Sequence, residues 1–523
     1  MNAHRALVQS LRRSGVYPHP VTEVRLIETH ISSVLLTGEY AYKIKKPLDL
    51  GFLDFSTLER RKRFCEEELR LNGRLAPEIY LDVVPITGSP ESPLLGGQGE
   101  PFEYAIRMRE FSQDDLLAQR YAGGKADVSV IEAIARRAAE FHAVIDQADA
   151  DAPYGTPQAV RAPMAQNFEQ IRPLIREPSR LDQLERLRVW TETRCTALAG
   201  VLAGRKADGH IRECHGDMHL GNIALRDGRV LIFDGIEFNP NLSWIDTINE
   251  FAFLLMDLDH SGNAVAARHA LNVYLEATGD FSGLKLLRFY QVYRALVRAK
   301  VTVLRLAQGG LSGAEIEAIM AVYGVYADLA ESYTRPMRGA LVITHGVSGS
   351  GKTTLSAPLI EALPAVRIRS DVERKRLYGL AAAERSGSSL GGGIYGTDAT
   401  RATYARLAEL AGTIVEAGFV AVVDATFLKR GQRDEFRDLA VRLGAPFLIL
   451  DCQADEAELR WRVEARAALG ADASEAGAEV LEMQLQAREP LAGDEREASI
   501  TLDASQPLPL DEVLGRIDWG NAE

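Results

Sequence analysis

The spacing of apolar and polar residues changes along the chain. Between residues 20 and 110, short apolar runs are separated by polar turns, which predicts strands. SSVLLTGEYAYKIKK predicts a hairpin that turns at Gly38, and FEYAIRMREF predicts another strand. After residue 111, apolar residues recur every three or four positions, as in SVIEAIARRAAEFHAVI and LLRFYQVYRALVRAKVTVLRLA, which predicts helices. A small strand-rich lobe over residues 1–110 should therefore precede a helical lobe over residues 111–336.

A different pattern begins after Pro336 and Gly339. Apolar runs alternate there with helical segments, which is typical of a parallel sheet covered by helices; the runs are ALVIT, AVRIR, FVAVVD, FLILD and SITLD. GSSLGGGIYG, at 387–396, predicts a mobile loop. At ~100–200 residues per domain, 523 residues predict two to four domains, and we predict one domain at 1–336 and a second at 337–523. The predicted fold class is a multidomain α+β and α/β protein.

Composition and charge exclude several classes of protein. Hydrophobic residues make up 46% and charged residues 25%, which is ordinary for a chain that folds throughout. No stretch approaches the ~20 apolar residues that span a bilayer, and the first residues lack the apolar core of a secretory signal, so a cytoplasmic protein without membrane contact is expected. The net charge of −13 disfavours nonspecific coating of nucleic acid. The four cysteines form no CxxC pair, which favours reduced, buried thiols over disulfides or zinc.

The stretch HGDMHLGNIALRDGRVLIFDGIEF contains the first candidates for chemistry. They are His215, Asp217 and Asn222, followed by Asp234 after a predicted strand hairpin. Phosphoryl transfer needs a carboxylate that orients the acceptor hydroxyl, and oxygen ligands that hold Mg²⁺ against the nucleotide phosphates. Asp217 is therefore the candidate catalytic base, Asn222 and Asp234 are the candidate metal ligands, and His215 is expected to brace the loop.

This stretch resembles the catalytic loop and metal aspartate of the aminoglycoside phosphotransferase and choline kinase group, which shares the protein-kinase-like bilobal fold. The resemblance covers residues 1 to about 335 and implies an ATP-binding lysine on a strand of the small lobe. AYKIKK offers Lys43 for that role, with Lys45 as the alternative on the same strand face. The glutamate partner of the lysine is expected on the following helix, FCEEELRLN, where Glu67 is preferred and Glu66 and Glu68 are not excluded.

Two features depart from the pattern of protein kinases. ETHISSVLLTGEY, which should cover the phosphates, contains Gly38 as its single glycine, and DGI stands where protein kinases have Asp-Phe-Gly. Related small-molecule kinases tolerate both, so nucleotide binding is still expected, and a nucleotide-binding switch without turnover is the alternative for this domain. Asp246, in SWIDTIN, resembles an aspartate that buttresses the catalytic loop, and its expected role is structural.

GVSGSGKTT is the second candidate for phosphate chemistry. It matches G-x4-G-K-[ST], follows the predicted strand ALVITH and opens a predicted helix. Such a P-loop curls its backbone amides around phosphates, while its lysine reaches the β and γ phosphates and its threonine ligates Mg²⁺. Nucleotide binding is predicted for the loop residues as a set: Gly346, Ser348, Gly349, Ser350, Gly351, Lys352, Thr353 and Thr354.

Residues beyond the P-loop offer acceptor chemistry. IRSDVERKRL puts Asp371 at a predicted helix start and Arg374 one turn later, where a carboxylate takes the proton of a hydroxyl and an arginine clamps a phosphate. Asp424, at the end of FVAVVD, is the candidate for orienting magnesium's waters or the acceptor. ELRWRVEAR places Arg462 and Arg466 on one helix face, where they would close over the nucleotide; surface salt bridges to nearby glutamates are the alternative.

This second set resembles the P-loop kinases that include polynucleotide 5′-kinases, zeta-toxin-like kinases and gluconate kinases, over residues 338 to about 520. Together the two resemblances imply a bacterial bifunctional kinase. It would use ATP, with GTP as the alternative, and Mg²⁺ to phosphorylate a hydroxyl of a small molecule or of a nucleic-acid end. The competing hypothesis is a polynucleotide 5′-hydroxyl kinase whose first domain is a non-catalytic regulator. A basic path favours that hypothesis: Arg367, Arg369, Arg374, Lys375 and Arg376.

Overall fold

The structure of the protein is a computed structural model, and it describes residues 2–49, 51, 53–122, 126–308, 310–388, 392–469 and 474–517. The chain divides into two compact units. Unit 1 comprises Met1–Asn263 and Phe289–Tyr333, and unit 2 comprises Ala264–Arg288 and Thr334–Glu523.

Strands predominate in the first part of the chain, helices in the middle part, and the two alternate from β11 onward. The strands, in chain order, are β1 (Arg25–Glu28), β2 (Ser32–Leu36), β3 (Tyr40–Lys45), β4 (Tyr80–Ser89), β5 (Ser92–Leu95), β6 (Glu103–Arg109), β7 (Ile211–Glu213), β8 (Ile223–Arg226), β9 (Arg229–Ile232), β10 (Trp244–Asp246), β11 (Ala340–His345), β12 (Ala365–Arg369), β13 (Val420–Asp424), β14 (Phe447–Gln453) and β15 (Ser499–Asp503). The helices, in chain order, are α1 (Asn2–Leu11), α2 (Leu58–Asn72), α3 (Leu117–Arg120), α4 (Val128–Val144), α5 (Pro157–Ile171), α6 (Pro178–Ala197), α7 (Ala199–Ala207), α8 (Pro240–Ser243), α9 (Thr247–His260), α10 (Ala264–Thr278), α11 (Leu284–Leu304), α12 (Gly313–Thr334), α13 (Lys352–Ala362), α14 (Ser370–Leu377), α15 (Thr397–Glu416), α16 (Arg430–Leu443), α17 (Glu456–Leu469), α18 (Ala478–Ala487), α19 (Gly493–Glu497) and α20 (Leu510–Arg516).

Unit 1 begins with an antiparallel six-stranded sheet in the order β1-β2-β3-β6-β4-β5. The predicted hairpin is formed by β2 and β3, with Leu36 opposite Ala41. Gly38 makes its turn with φ +95°, a conformation that glycine adopts without steric cost. FEYAIRMREF forms β6, between β3 and β4, so the strand-rich prediction for this region is confirmed. Helix α2 packs against β4 and β6 and thereby brings one of its faces to the sheet.

The rest of unit 1 is mainly helical, as predicted. Helices α5, α6, α9, α11 and α12 share a core in which Phe253, Leu296 and Tyr323 are at most 1% exposed. Two short antiparallel pairs, β7 with β10 and β8 with β9, frame the segment that carries the candidate catalytic loop. An Asp-Gly turn at Asp227 and Gly228, both with positive φ, joins β8 to β9 in the manner typical of tight hairpins.

Unit 2 is built on a five-stranded parallel sheet in the order β12-β13-β11-β14-β15. Its strands are the five apolar runs that the sequence predicts, and every adjacent pair is parallel. All residues of β11 and β13 are buried, because helices cover the sheet. A core that includes Val342, Val422 and Leu450 joins the sheet to α13 and α20. The predicted fold class, α+β with α/β in one chain, is confirmed.

Helix α10 belongs to unit 2 although it precedes the P-loop segment by about 60 residues of chain. It packs against α13 and β12. A division of the chain near residue 337 leaves α10 with the first domain, whereas its packing joins it to the second. Of the glycine-rich stretch at 387–396, residues 389–391 lie outside the described residues, and Gly393–Tyr395 forms a short 3₁₀ helix.

The four cysteines are free and buried, as their scattered pattern predicts: Cys65, Cys195, Cys214 and Cys452. Burial raises the pKa of Cys195 to about 11, so its thiol is protonated at neutral pH. Among the helices of the described residues, none combines the length and the apolar character that crossing a membrane requires.

Candidate active sites

Lys43 projects from β3 into a buried cluster of charges in unit 1. Its Nζ donates to Glu68 Oε1 at 2.7 Å and also pairs with the carboxylate of Asp234. Lys43 is 8% exposed and Glu68 is fully buried. Burial would lower the pKa of Lys43, but the carboxylates of Asp234 and Glu68 outweigh burial and raise the pKa well above its ordinary value. The lysine expected to bind ATP is therefore charged and lies beside the aspartate expected to bind metal.

The glutamate partner of Lys43 is Glu68, and the preference for Glu67 is wrong. Glu67 pairs instead with Arg70 at 2.6 Å on the outer side of α2. The physical reason is helical phase: α2 buries Cys65, Glu68 and Leu71, which recur every three residues and face the sheet. Cys65 and Leu71 lie three residues before and three residues after Glu68, and both are apolar. This spacing is the sequence signal that could have identified Glu68 as the glutamate that faces the sheet.

Lys45 adds a second lysine to the cluster, on the same face of β3. Its Nζ donates to Glu68 Oε2 at 2.6 Å and pairs with Glu237, so each oxygen of Glu68 accepts from a different lysine. The same Nζ lies 4.8 Å from the ring centre of Phe55. Burial would raise the pKa of Glu68, but the two lysines outweigh burial and lower it. The strand spacing offers Lys45 as an alternative to Lys43, whereas the structure uses both lysines; no motif indicates Glu237.

The catalytic-loop candidates lie together between β7 and β8. Asn222 Nδ2 donates to Asp217 Oδ2 at 2.9 Å and to Asp217 O at 3.0 Å. His215 accepts from the amide of Asp217 at Nδ1, at 3.3 Å, and donates from Nε2 to the carbonyl of Phe233 at 2.9 Å. Burial lowers the pKa of His215, in keeping with the neutral tautomer that these two hydrogen bonds require. His215 therefore ties the loop to the residue that precedes Asp234, which is the position a brace would occupy.

His219 is a further contact of Asp217 that the motif does not predict. Its Nδ1 accepts from the amide of Gly221 at 3.1 Å, which leaves the proton on Nε2, and Nε2 lies 3.4 Å from Asp217 Oδ2. Burial would raise the pKa of Asp217, but His219, His215 and Arg294 outweigh burial and hold the pKa well below its usual range. Asp217 is therefore ionised at neutral pH, as a group that receives a hydroxyl proton must be.

Asp234 occupies a left-handed backbone conformation with φ +62°. Residues with side chains seldom adopt this conformation, and such strain is common where a functional side chain is held in place. The amide of Asp234 donates to Tyr80 Oη at 3.2 Å, and the amide of Gly235 donates to Asn72 Oδ1 at 2.8 Å. The side chain of Asp234 is 49% exposed. Partners on β4 and α2 thus fix the backbone while the carboxylate stays accessible.

The oxygen atoms around the catalytic loop fit a hard divalent cation. Asn222 commits its amide nitrogen to Asp217, which leaves the amide oxygen as its remaining ligand atom, and Asp234 offers an accessible carboxylate. Mg²⁺ prefers such oxygen ligands. Asp246 has a different environment: it accepts from Arg205 Nε at 2.6 Å and from Nη2 at 2.7 Å, and it caps α9. This environment agrees with the structural role expected of Asp246.

Glu250 supports the catalytic loop from beneath. It accepts from the amide of Gly216 at 2.6 Å through Oε1, and His142 Nε2 lies 2.6 Å from Oε2. Gly216 has φ +86°, so the loop turns sharply at this contact. Cys214 lies in the same buried group, with the spacing of a metal site, but its thiol donates to Ile245 O at 3.6 Å. Hydrogen bonds within the protein therefore explain why His142, Cys214 and Glu250 lie close together.

The P-loop of unit 2 connects β11 to α13. Gly346, Gly349 and Gly351 have φ of +147°, +83° and +82°, values that residues with side chains rarely adopt. A Cβ at Gly349 would lie 2.9 Å from Leu459 O, and one at Gly346 would lie 2.5 Å from Ser350 Oγ. These glycines let the loop curl tightly enough for backbone amides to surround a phosphate, so the cradle fits a nucleotide.

Lys352 and Thr353 begin α13 directly after the loop. Lys352 Nζ donates to Val347 O at 2.8 Å, and Thr353 Oγ1 donates to Asp424 Oδ2 at 2.6 Å. Burial lowers the pKa of Lys352, although the carboxylate of Asp424 acts in the opposite direction. Asp424 ends β13, so the two oxygen ligands expected for Mg²⁺ in this unit are adjacent.

A cleft of about 1020 Å³ opens beside the P-loop within unit 2. Among the described residues, Gly346 and Ser350 of the P-loop do not line the cleft. Ser350 is 1% exposed, so its side chain packs inside the loop. The cleft gathers the remaining P-loop residues with the candidate base and the candidate arginines. The predicted site residues that line it are Ser348, Gly349, Gly351, Lys352, Thr353, Thr354, Asp371, Arg374, Asp424, Arg462 and Arg466.

Arg374 is held in the wall of the cleft. Its Nη1 donates to Ile394 O at 2.8 Å and to Thr400 Oγ1 at 3.3 Å, and its guanidinium lies 5.1 Å from the ring centre of Tyr395. Arg374 is 7% exposed, and its Nε has no hydrogen-bond partner among the described residues. Asp371 lies in the first turn of the same short helix, α14. The candidate base and the candidate clamp are therefore carried by one short helix.

Arg462 and Arg466, the two candidate arginines of α17, line the same cleft. Arg462 Nε donates to Glu458 Oε1 at 2.7 Å, and its Nη1 donates to Gly349 O at 3.4 Å. Arg466 Nη2 donates to Ala476 O at 3.4 Å. Arg462 thus forms a salt bridge to a nearby glutamate, as the alternative to the nucleotide-closing role predicts, and it also contacts the P-loop.

The predicted basic path is not continuous. Lys375 has a side chain that is 1% exposed and pairs with Glu475 at 3.2 Å, and Arg376 pairs with Glu373. The physical reason is that consecutive residues of a helix face different directions, and α14 buries one side against α15. Arg369 remains at the cleft beside Arg374.

Comparisons with known proteins match both regions. The model of the phosphotransferase enzyme family matches residues 62–278, and the model of an AAA domain matches residues 341–491. Uncharacterized proteins of Mycobacterium tuberculosis and Mycobacterium bovis are 29% identical over 459 residues, which cover 87% of this chain and 89% of theirs.

Solved structures of kinases are similar to one region or the other. A sugar kinase from Janibacter is 25% identical, with 36% of this chain and 98% of its own chain covered and a TM-score of 0.28. The amicoumacin kinase hAmiN, solved with AMP-PNP, Ca²⁺ and Ami, is 13% identical, with 63% and 94% covered and a TM-score of 0.40. The first family match spans the catalytic loop and Asp234, and the second spans the P-loop and Asp424. The chain thus carries two kinase-like regions, which imply nucleotide binding.

Proposed function

We propose that the protein is a bifunctional phosphotransferase that moves the γ-phosphate of ATP, with Mg²⁺, to hydroxyl acceptors at one site in each unit. The observation that carries the proposal is that each unit holds its own set of groups for phosphoryl transfer. Each set contains a lysine for the nucleotide, two oxygen ligands for a metal and a carboxylate for the acceptor. The sets are Lys43, Asn222, Asp234 and Asp217 in unit 1, and Lys352, Thr353, Asp424 and Asp371 in unit 2.

In unit 1, Asp217 orients the acceptor hydroxyl and receives its proton. The hydroxyl oxygen forms a bond to the γ-phosphorus while the bond from that phosphorus to the β-phosphate oxygen breaks. Lys43 exchanges its contact with Asp234 for a nucleotide phosphate, and Glu68 keeps the lysine oriented. Asn222 and Asp234 would hold Mg²⁺, which would offset phosphate charge. The low pKa of Asp217 supports its role as the ionised acceptor of the proton.

In unit 2, backbone amides of the P-loop bind the phosphates and Lys352 turns from Val347 O toward them. Asp371 receives the proton of the acceptor hydroxyl, with the same bonds formed and broken. Arg462, which already contacts the loop at Gly349, stabilises charge on the transferred group together with Arg466. The gathering of these groups along one cleft supports this assignment.

The acceptor that we propose is a hydroxyl on a small molecule or on a nucleic-acid end. A second candidate is a polynucleotide 5′-hydroxyl kinase in unit 2, with unit 1 as a non-catalytic regulator. The observation that favours it is the concentration of cations along the cleft: Arg369, Arg374, Lys429, Arg462 and Arg466. The buried position of Lys375 weighs against a longer basic surface. The complete set of catalytic groups in unit 1 weighs against a purely regulatory role.

The test is release of ADP by the full chain with pooled sugars, nucleosides, aminoglycosides and 5′-hydroxyl oligonucleotides, with ATP or GTP as donor. Asp217→Ala and Asp371→Ala should each abolish transfer to a different acceptor, and the double variant should abolish both. Exposed aspartates of the same units, Asp151→Ala and Asp398→Ala, are the controls. If Asp217→Ala alters only the rate of a transfer that Asp371→Ala abolishes, the regulator hypothesis replaces the bifunctional one.

A further inference from the structure

Helix α10 presents a stripe of three polar residues to the rest of unit 2. Arg268, Asn272 and Glu276 are spaced by one helical turn each, so they lie on one face. Each of them contacts a different element of the P-loop region: the end of α13, the edge of β12, and the β12–α14 segment. The stripe therefore connects three elements that carry groups of the candidate site.

Asn272 hydrogen-bonds to the outer edge of β12. Among the described residues β12 is an edge strand, so no strand pairs with its outer backbone groups there. The Asn272 side chain supplies two partners for these groups: Nδ2 donates to Ala365 O at 2.9 Å, and Oδ1 accepts from the amide of Arg367 at 2.8 Å. One side chain thus pairs with two alternate residues of the strand, as a sixth strand would.

Arg268 and Glu276 extend the contact in both directions. Arg268 Nε donates to Ile360 O at 3.1 Å, in the last turn of α13, where carbonyls lack partners within the helix and carry partial negative charge. Glu276 lies 3.5 Å from Arg369 through Oε1 and accepts from the guanidinium of Arg376 through its carbonyl. The stripe thus contacts the end of the helix that Lys352 begins and both ends of the helix that carries Asp371.

We propose that α10 is a positioning element of the P-loop site and that Asn272 is its central residue. By fixing the edge of β12, Asn272 sets the position of Asp371 and Arg374, which follow that strand directly, relative to Lys352 and Thr353. The inference rests on the proposed function of unit 2, in which Asp371 receives the acceptor proton. It also implies that the P-loop region is completed by residues from the stretch at 62–278, which matches the phosphotransferase family.

The first test measures position without activity. Hydrogen–deuterium exchange of the full chain should show faster exchange of the Arg367 amide in Asn272→Ala by about tenfold, as expected for the loss of one hydrogen bond, and faster exchange in α14. Asn272→Asp keeps the acceptor for Arg367 but loses the donor to Ala365, so it should give a smaller increase. Val265→Ala, at an exposed position of the same helix, is the control. Unchanged exchange at Asp371–Arg374 in Asn272→Ala would overturn the inference.

The second test measures transfer in the full chain with Asp217→Ala as background, which silences unit 1. For the pooled acceptor whose transfer Asp371→Ala abolishes, Asn272→Ala should lower kcat/KM for the acceptor by about tenfold or more. The KM for ATP should change by less than about twofold, because the P-loop itself is unchanged. Equal losses for ATP and acceptor, or no loss, would contradict a positioning role. If Asp371→Ala affects no transfer, the proposed function fails, and the exchange result alone decides the role of α10.

Discussion

The two candidate sites are held together by different kinds of interaction. In unit 1, a buried network of side-chain charges joins Lys43 and Lys45 to Glu68, Glu237 and Asp234. In unit 2, the nucleotide cradle is a backbone shape that depends on glycines with positive φ. The first arrangement should therefore be sensitive to the loss of a charge, and the second to the gain of a Cβ.

The difference extends to the two lysines that are expected to bind phosphates. Two carboxylates contact Lys43 directly, and together they overcome burial and raise its pKa. Lys352 donates to a backbone carbonyl, so burial dominates and its pKa is lowered. To bind a phosphate, Lys43 must give up an ion pair with a carboxylate. Lys352 must give up only a hydrogen bond to a neutral carbonyl of its own loop. The two candidate phosphate-binding lysines thus lie in opposite electrostatic environments.

The largest effect is expected from Glu68→Gln, which breaks the network in unit 1. Both lysines lose a buried partner, and removal of one member of a buried ion pair typically costs about 3–5 kcal/mol. Calorimetry of the full chain should show a lowered unfolding transition, together with loss of transfer at the site of Asp217. The matched control is Glu67→Gln, whose salt bridge to Arg70 is partly exposed and should contribute less than about 1 kcal/mol. Equal effects of the two variants would mean that the network does not hold unit 1 together.

The next largest effect is expected from Gly349→Ala, which tests the backbone cradle of unit 2. A Cβ there would lie 2.9 Å from Leu459 O, and the φ of +83° would be strained by about 1–3 kcal/mol. The loop should open, and nucleotide binding in unit 2 should be lost in an equilibrium binding assay, while unit 1 keeps its own. Gly431→Ala is the control, because a Cβ at Gly431 meets nothing within 4 Å. Normal nucleotide binding by Gly349→Ala would show that the cradle tolerates the change.

A smaller effect is expected from His219→Gln, which weakens the electrostatics of Asp217. The pKa of Asp217 is depressed, so its ionised form stabilises unit 1 above the usual aspartate pKa of about 4, and this stabilisation is lost as pH falls through the folded pKa. Removing the imidazole should raise that pKa and move the acid limb of the unit 1 rate profile to higher pH. An exposed histidine, His30→Gln, is the control. An acid limb that does not move would assign the low pKa to the other neighbours of Asp217.

Much of the fold can be predicted from local patterns. The five strands of unit 2 are apolar runs, of which β11 and β13 are fully buried, and the hairpin at Gly38 needs only alternation and a turn residue. The placement of α10 could not be predicted in this way, because its amphipathic pattern states that one face is buried but not against which element. Its partners, Ala365 and Arg367, lie more than 90 residues farther along the chain.

The same difference between local patterns and contacts of distant residues applies to the candidate sites. Asp217, Asn222 and Asp234 and the P-loop are found from motifs because each group is close in sequence to its neighbours. The choice of Glu68 over Glu67 needs the phase of α2, which a short motif does not contain. The pairing of Lys45 with Glu237 joins residues that are 192 positions apart. Contacts of this kind become visible only when the strands and helices are assembled.

The smallest effect is expected in the alkaline pH dependence of nucleotide binding, and it compares the two lysines directly. Because the pKa of Lys352 is lowered and that of Lys43 is raised, the charged form of Lys352 is lost first as pH rises. Affinity for ATP should therefore begin to fall at a lower pH in unit 2 than in unit 1. Titration from about pH 7 to about pH 10 separates the sites when Lys352→Ala reports unit 1 and Lys43→Met reports unit 2. If the two affinities fall at the same pH, the bound phosphate sets the charge of both lysines. The environment of each lysine in the free protein would then not decide its charge.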